Sequence, residues 1–131
     1  MHKFEQSCLE SVGIVSAATY RTAAEVAGVG VDMKKYNNFC AIIEAAGATQ
    51  WLGDLTCVIA ESTDNSTYSD TYLATVTIAS STIDAIDTVE IRAEEMSDGY
   101  RYARVEVTPA AGTGNMFNAV NVQFNERYSR T

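Results

Sequence analysis

Histidine is almost missing from this chain: the single one, His2, stands beside Met1. Catalytic triads built on imidazole and multi-histidine metal sites need that ring held by a folded scaffold, so both are set aside. Basic residues are scarce as well, nine Lys and Arg against 17 Asp and Glu, for a net charge of −8. Nucleic-acid binding needs clustered cations and is not expected. Cysteine occurs three times, at Cys8, Cys40 and Cys57, an odd count with no C-x-x-C spacing. That fits neither a disulfide framework nor a zinc site and predicts buried thiols formed in a reducing compartment. No apolar run approaches the ~18 residues of a membrane-spanning helix. No apolar stretch follows His2 and Lys3, which argues against a secretory signal.

At 131 residues the chain reads as one domain that buries roughly two-thirds of its unfolded surface. Its charge is uneven. Residues 44–98 hold eleven acids against Arg92 alone, whereas 99–131 hold four arginines against Glu106 and Glu126. An acidic, solvated body with neutral-to-basic ends follows.

The positive signal is alternation with a period of two, which a pleated strand imposes. Tyr100 to Thr108 shows it well: Ala103, Val105 and Val107 fall on one face, and Tyr102, Arg104 and Glu106 on the other. Asp98-Gly99 opens that strand, and Pro109, the only proline, closes it. Thr88 to Glu95 repeats the pattern, with Val89, Ile91 and Ala93 inward and Glu90, Arg92 and Glu94 outward. Tyr72 to Ala79 and Asn118 to Asn125 alternate too. Asn38 to Ala46 is apolar on both faces, the mark of a central or interface-facing strand. It is expected to form a hairpin-like pair with Asp54 to Glu61, which lets Cys40 and Cys57 face each other. Ser62 to Asp70 is a polar loop, Ser80 to Asp87 a connection and Ala110 to Asn115 a Gly-rich loop. Residues 1–31 read either as an extended arm with intermittent apolar anchors or as a first strand with a frayed tail, and 32–131 as the body. Short strands between polar loops predict an all-β, antiparallel sandwich or barrel.

Chemistry is hard to place on this pattern. Glu90, Glu94 and Glu106 fall on outward strand faces, where carboxylates ordinarily belong to a solvated sheet. Asp64-Asn65-Ser66 with Asp70 offers oxygens but lacks the order of a calcium loop. Gly112-Thr113-Gly114 precedes a strand, not a helix, and cradles no phosphate. Neither a metal nor a cofactor is implied, and no enzymatic activity is expected. The seven tyrosines suit a protein interface, or a sugar site built from Trp51, Tyr72, Tyr100 and Tyr102.

Three stretches taken in order carry a resemblance. They are Gly28-Val29-Gly30-Val31-Asp32-Met33-Lys34-Lys35-Tyr36, then Leu55 to Asp64 ending in Glu-Ser-Thr-Asp, then Gly99-Tyr100-Arg101-Tyr102-Ala103-Arg104-Val105. Over residues 14–125 this order resembles a family of small tailed-phage virion proteins. In that family an Asp before the first strand, a Ser-x-Asp after the second and a Tyr-Arg-Tyr-x-Arg strand recur. The resemblance implies a jelly-roll-like β-sandwich with an extended N-terminal arm. It also implies a non-enzymatic decoration or cement protein, assembled in the bacterial cytoplasm and carried on the capsid exterior. Its partners would be the phage major capsid protein and its own copies as a homotrimer, with no nucleic acid and no membrane. Candidate capsid or subunit contacts are Phe4, Leu9, Ile14 and Tyr20 in the arm, Tyr102 and Arg104 on the outward strand face, and Met116 and Phe117 after the Gly-rich loop. A head–tail connector or tail component is the near alternative, and a carbohydrate-binding module the alternative from another class.

Overall fold

The computed structural model describes residues 8–12, 20–21, 25–45, 54–79, 85–109 and 115–126, with the side chains of 25–44, 54–79 and 86–109. Ten strands follow in chain order among the described residues. They are β1 (Cys8–Val12), β2 (Tyr20–Arg21), β3 (Val26–Ala27), β4 (Val31–Asp32), β5 (Tyr36–Ala45), β6 (Leu55–Ser62), β7 (Ala74–Ile78), β8 (Ala85–Arg92), β9 (Tyr102–Pro109) and β10 (Asn115–Glu126). One turn of 3-10 helix, Ala93–Glu95, follows β8. The strands form two antiparallel sheets. The first runs β1-β10-β5-β8 with β2 also on β10, and the second β3-β9-β6-β7 with β4 also on β9. The chain is all-β.

Alternation explains which faces meet. Phe39, Ala41 and Ile43 of β5 and Val89 and Ile91 of β8 form one core with Leu55, Cys57 and Ile59 of β6, Ile78 of β7, and Ala103, Val105 and Val107 of β9. Each large aliphatic or aromatic side chain buried there contributes about 1.5–3 kcal/mol. Met33 and Val31 join the same cluster, and Val26 packs against it. The described parts of residues 1–31 are therefore hydrogen-bonded into both sheets: β1 and β2 along β10, β3 and β4 along β9.

The expected hairpin between β5 and β6 does not form. β5 pairs with β10 and β8, while β6 pairs with β9 and β7. The inward rows of β5 and β6 belong to one core but to different sheets, which adjacent strands of a single hairpin cannot satisfy. Cys57 accordingly lies in the core, and Cys40 sits on the other face of its own sheet; both are free thiols. Burial pushes the Cys57 thiol up to about 12, so it stays protonated and inert. β8 also starts earlier than the alternation suggested, because Ala85, Ile86 and Asp87 extend the ladder with β5. At its other end the expected strand turns into the 3-10 helix, where Arg92 donates its backbone N–H to Glu95 Oε2 at 2.5 Å.

Between β3 and β4 the register slips. Four steps separate Ala27 from Val31 but only three separate their partners Glu106 and Ala103, so Gly28–Gly30 makes a bulge against β9. A Cβ on Gly30 would collide with the side-chain ends of Asn65 and Tyr68. Those ends are hydrogen-bonded to each other, Tyr68 donating to Asn65 Oδ1 at 2.5 Å. Gly30→Ala is therefore expected to displace that pair at a cost of about 1 kcal/mol. Burial holds the Tyr68 phenol up at about 12 in the native chain. The displaced ring should titrate closer to an ordinary tyrosine, and a spectrophotometric phenol titration checks this.

Candidate functional site

The three stretches that carry the resemblance meet at one end of the second sheet. Asp32 ends β4 opposite Tyr102, and Lys34 N–H bonds its Oδ1 at 3.1 Å in the turn that follows. Arg101, just ahead of β9, grips the same carboxylate with both arms: Nε to Oδ1 at 2.9 Å and an Nη to Oδ2 at 2.6 Å. Its backbone completes the clamp, because Arg101 N–H donates to Ser62 O at 2.9 Å and Arg101 O accepts from Met33 N–H at 2.8 Å. The guanidinium holds the Asp32 carboxyl below the usual carboxylate range. One arginine thus ties β4, β6 and the start of β9 together.

Ser62, fully buried at the end of β6, organises the next loop. Its Oγ accepts from the N–H groups of Asp64 at 3.2 Å and Asn65 at 3.0 Å and donates to Thr67 O at 2.6 Å. Asp64 Oδ1 in turn accepts from Ser66 N–H at 2.8 Å and Thr67 N–H at 2.9 Å. Those amides, Thr67 first, keep the Asp64 carboxyl below the usual range. Asn65 takes the left-handed backbone, φ 61°, which asparagine tolerates better than most residues. The Ser-x-Asp signature is a side-chain cap on a tight loop, with Ser62 Oγ and Asp64 Oδ1 each taking two backbone donors. Among the described residues no three His, Cys, Asp or Glu side chains converge as a metal-binding group.

The outward face of β9 differs from the sequence expectation. Glu106 is buried, not solvated. Register places it opposite Val58, and Arg104 opposite Ala60, both buried. The segment after β6 folds back along that strand: Ser69 N–H reaches Glu61 O and Leu73 N–H reaches Ile59 O, each at 2.9 Å. The Arg104 guanidinium lies 4.0 Å from the centroid of the Tyr68 ring. Arg104 donates from Nε at 2.8 Å and from an Nη at 2.5 Å, both to Glu106 Oε2, and Glu25 Oε1 lies 4.0 Å away. Burial lifts the Glu106 carboxyl above the usual range, with Arg104 working against the shift. Alternation marks Glu106 as outward but carries no sign of a second cover on that face. Glu61 is buried too, accepting from Ser97 N–H at 2.9 Å and Ser97 Oγ at 2.5 Å.

Of the candidate contacts, Arg104 is engaged with Glu106 and Tyr68, and Tyr102 is partly buried with Arg101 over its ring at 5.3 Å. Tyr20 pairs with Met116, and Phe117 with Ala45, along β10. Leu9 lies at a register shift in β1, between Cys8 and Glu10. Phe4 and Ile14 lie outside the described residues, as does Trp51. Glu90 and Glu94 belong to the β8 side of the first sheet and Glu106 to the second, so the three do not form one carboxylate set. Two open depressions near β8 are lined mainly by polar groups, one by Asn37, Asn38, Arg92 and Glu94, the other by Glu90, Ile91, Arg92 and Glu95.

The outer face of the first sheet mixes exposed apolar side chains with exposed Glu44, Glu90 and Arg92. Ile42 is 39% exposed and Ile86 71%. Along β10, Val120 is the register partner of Ile42 and Val122 that of Cys40. The apolarity of β5 on both sides was the sequence signal for it.

No protein-family model matches this chain, and no curated protein sequence matches it significantly.

Proposed function

We propose that this chain is a non-enzymatic structural protein of a tailed-phage virion, a decoration or cement protein that binds and stabilises the outer capsid shell. In this reading the two sheets form a jelly-roll-like β-sandwich with an N-terminal arm, and copies associate as a trimer against the major capsid protein. One observation carries it: the three stretches behind the resemblance are joined by the Asp32–Arg101 and Arg101–Ser62 bonds. Their recurrence in order then has a physical cause, since each supplies a part that the others need. A clamp of this kind needs no reacting groups; it gains from many weak contacts made at once. The carboxylates support this reading, because half-buried Asp32 and buried Glu61 and Glu106 are each engaged in fixing the fold.

Particles assembled without this protein should lose resistance to heat and regain it when the purified chain is added back. Equal resistance with and without the chain would overturn the reading. Exposed Tyr72 and Tyr100 favour a second reading, a carbohydrate-binding module, which a glycan array tests directly.

A further inference from the structure

We propose that Asp98-Gly99 is a site of spontaneous modification, where the chain isomerises through a succinimide to an isoaspartyl linkage. No other Asp or Asn in the sequence is followed by glycine. Glycine puts no Cβ in the path of a carboxyl approaching its own nitrogen. The fold leaves the dipeptide open as well. Ser97, Asp98, Gly99 and Tyr100 are all exposed, and nothing stands within 4 Å of where a Cβ on Gly99 would lie. Tyr100 N–H donates to Ser97 O at 3.0 Å and Gly99 has φ 83°, a type II turn with Asp98 and Gly99 at its tip. The backbone nitrogen that follows each neighbouring Asp or Asn in the loops of the second sheet is tied. Met33 N–H, after Asp32, is held by Arg101 O. Asn65 N–H, after Asp64, is held by Ser62 Oγ, and Ser66 N–H, after Asn65, by Asp64 Oδ1. Thr71 N–H, after Asp70, is held by Ser69 Oγ. Among the described residues no hydrogen bond holds the Gly99 N–H, and no bond or ion pair holds the Asp98 carboxyl.

The reaction needs no reagent but water. Gly99 N attacks Cγ of the protonated Asp98 carboxyl, an N–Cγ bond forms, and the carboxyl hydroxyl leaves with the amide proton as water. Water then opens the ring. Its addition at the Asp98 backbone carbonyl breaks the bond to Gly99 N and returns a proton to that nitrogen. The chain now runs through the side-chain carbon, and the former backbone carbonyl is a free carboxyl. This inserts one carbon into a connection pinned at both ends. On one side Ser97 gives Glu61 its N–H and Oγ bonds, and on the other Arg101 grips Asp32 and Ser62. Only Asp98, Gly99 and Tyr100 lie between them. The longer link breaks the Tyr100–Ser97 turn bond and draws Ser97 away from buried Glu61, whose carboxylate then loses its donors.

The test ages the full native chain in warm neutral buffer. A protein isoaspartate methyltransferase with radiolabelled S-adenosylmethionine then marks isoaspartyl carboxyls, and peptide mass spectrometry locates them. Label should gather on the peptide spanning residue 98 ahead of every other Asp or Asn. Asp98→Glu, which would have to close a larger imide ring, should lower that label at least tenfold. Fresh Asp98→Glu should unfold in urea like the fresh native chain, because the site is exposed and unbonded. Asp98→Asn, whose side chain releases ammonia in place of water, should raise the label at least fivefold. A brief pulse of protease in urea should digest labelled native chains before unlabelled ones, reading the loosened joint directly. Label absent from residue 98, label undiminished in Asp98→Glu, or labelled and unlabelled chains digested alike would each overturn the proposal. None of these outcomes touches the capsid reading.

Discussion

Replacing Arg104 with alanine is expected to cost about 3 kcal/mol of folding stability at neutral pH, because it strands Glu106 as a buried, unpaired carboxylate. The figure is placed low in its class because Arg104 itself keeps 24% of its side-chain surface exposed. The pH dependence identifies the mechanism. In the folded chain the Glu106 carboxyl already sits above the usual range through burial. A carboxyl whose folded value is raised is destabilising once pH exceeds that value, and neutral in effect below the unfolded value. Without Arg104 the penalty at neutral pH grows, and mild acid relieves it by protonating Glu106. Urea unfolding of native and Arg104→Ala chains should therefore show a gap that narrows as pH falls from neutral toward the ordinary carboxylate range. Asp32 and Asp64 slope the other way, since their lowered values give stability that is lost as pH falls toward them. These two residues are common to both chains and cancel in the difference. Arg104→Met with Glu106→Leu should recover most of the loss, because both partners are then apolar and the Glu106 position faces Val58 in register. A gap that is constant with pH would contradict the stranded-carboxylate account.

Ser62→Ala is expected to cost about 2 kcal/mol, the upper range for losing a side-chain cap. One hydroxyl serves Asp64 N–H, Asn65 N–H and Thr67 O, and alanine serves none of them. The loss should be local first. Amide exchange at Asp64 and Asn65 should speed up markedly, while the core amides of Ile59 and Val105 slow or quicken only with global stability. Chemical denaturation together with residue-resolved hydrogen exchange reads both effects. Unchanged exchange at Asp64 and Asn65 would show that the cap is not what holds the loop.

The inward rows were legible in the sequence because a strand facing a core has a strict period of two. Ala103, Val105 and Val107 in β9, and Val89 and Ile91 in β8, are all buried as that period requires. Strand partners were not legible. The hairpin rule favours neighbours in sequence, whereas β5 found its partners in β8 and in β10, the last strand described. Pairing at that range is decided by which faces complete a common core, and no local pattern encodes it. The buried ion pair was hidden for a related reason. Alternation assigns Glu106 to the outward face, but the segment bearing Tyr68 closes over that face from outside the strand. Arg101 and Asp32, 69 positions apart, stood in two of the marker stretches without any sign that they touch.

The central claim is that this chain belongs to the capsid shell, and its copy number in purified particles tests that most directly. Quantitative mass spectrometry against the major capsid protein should find it in a fixed ratio set by the symmetry of the shell. A handful of copies per particle, as at a neck or tail, or none at all, would contradict the account.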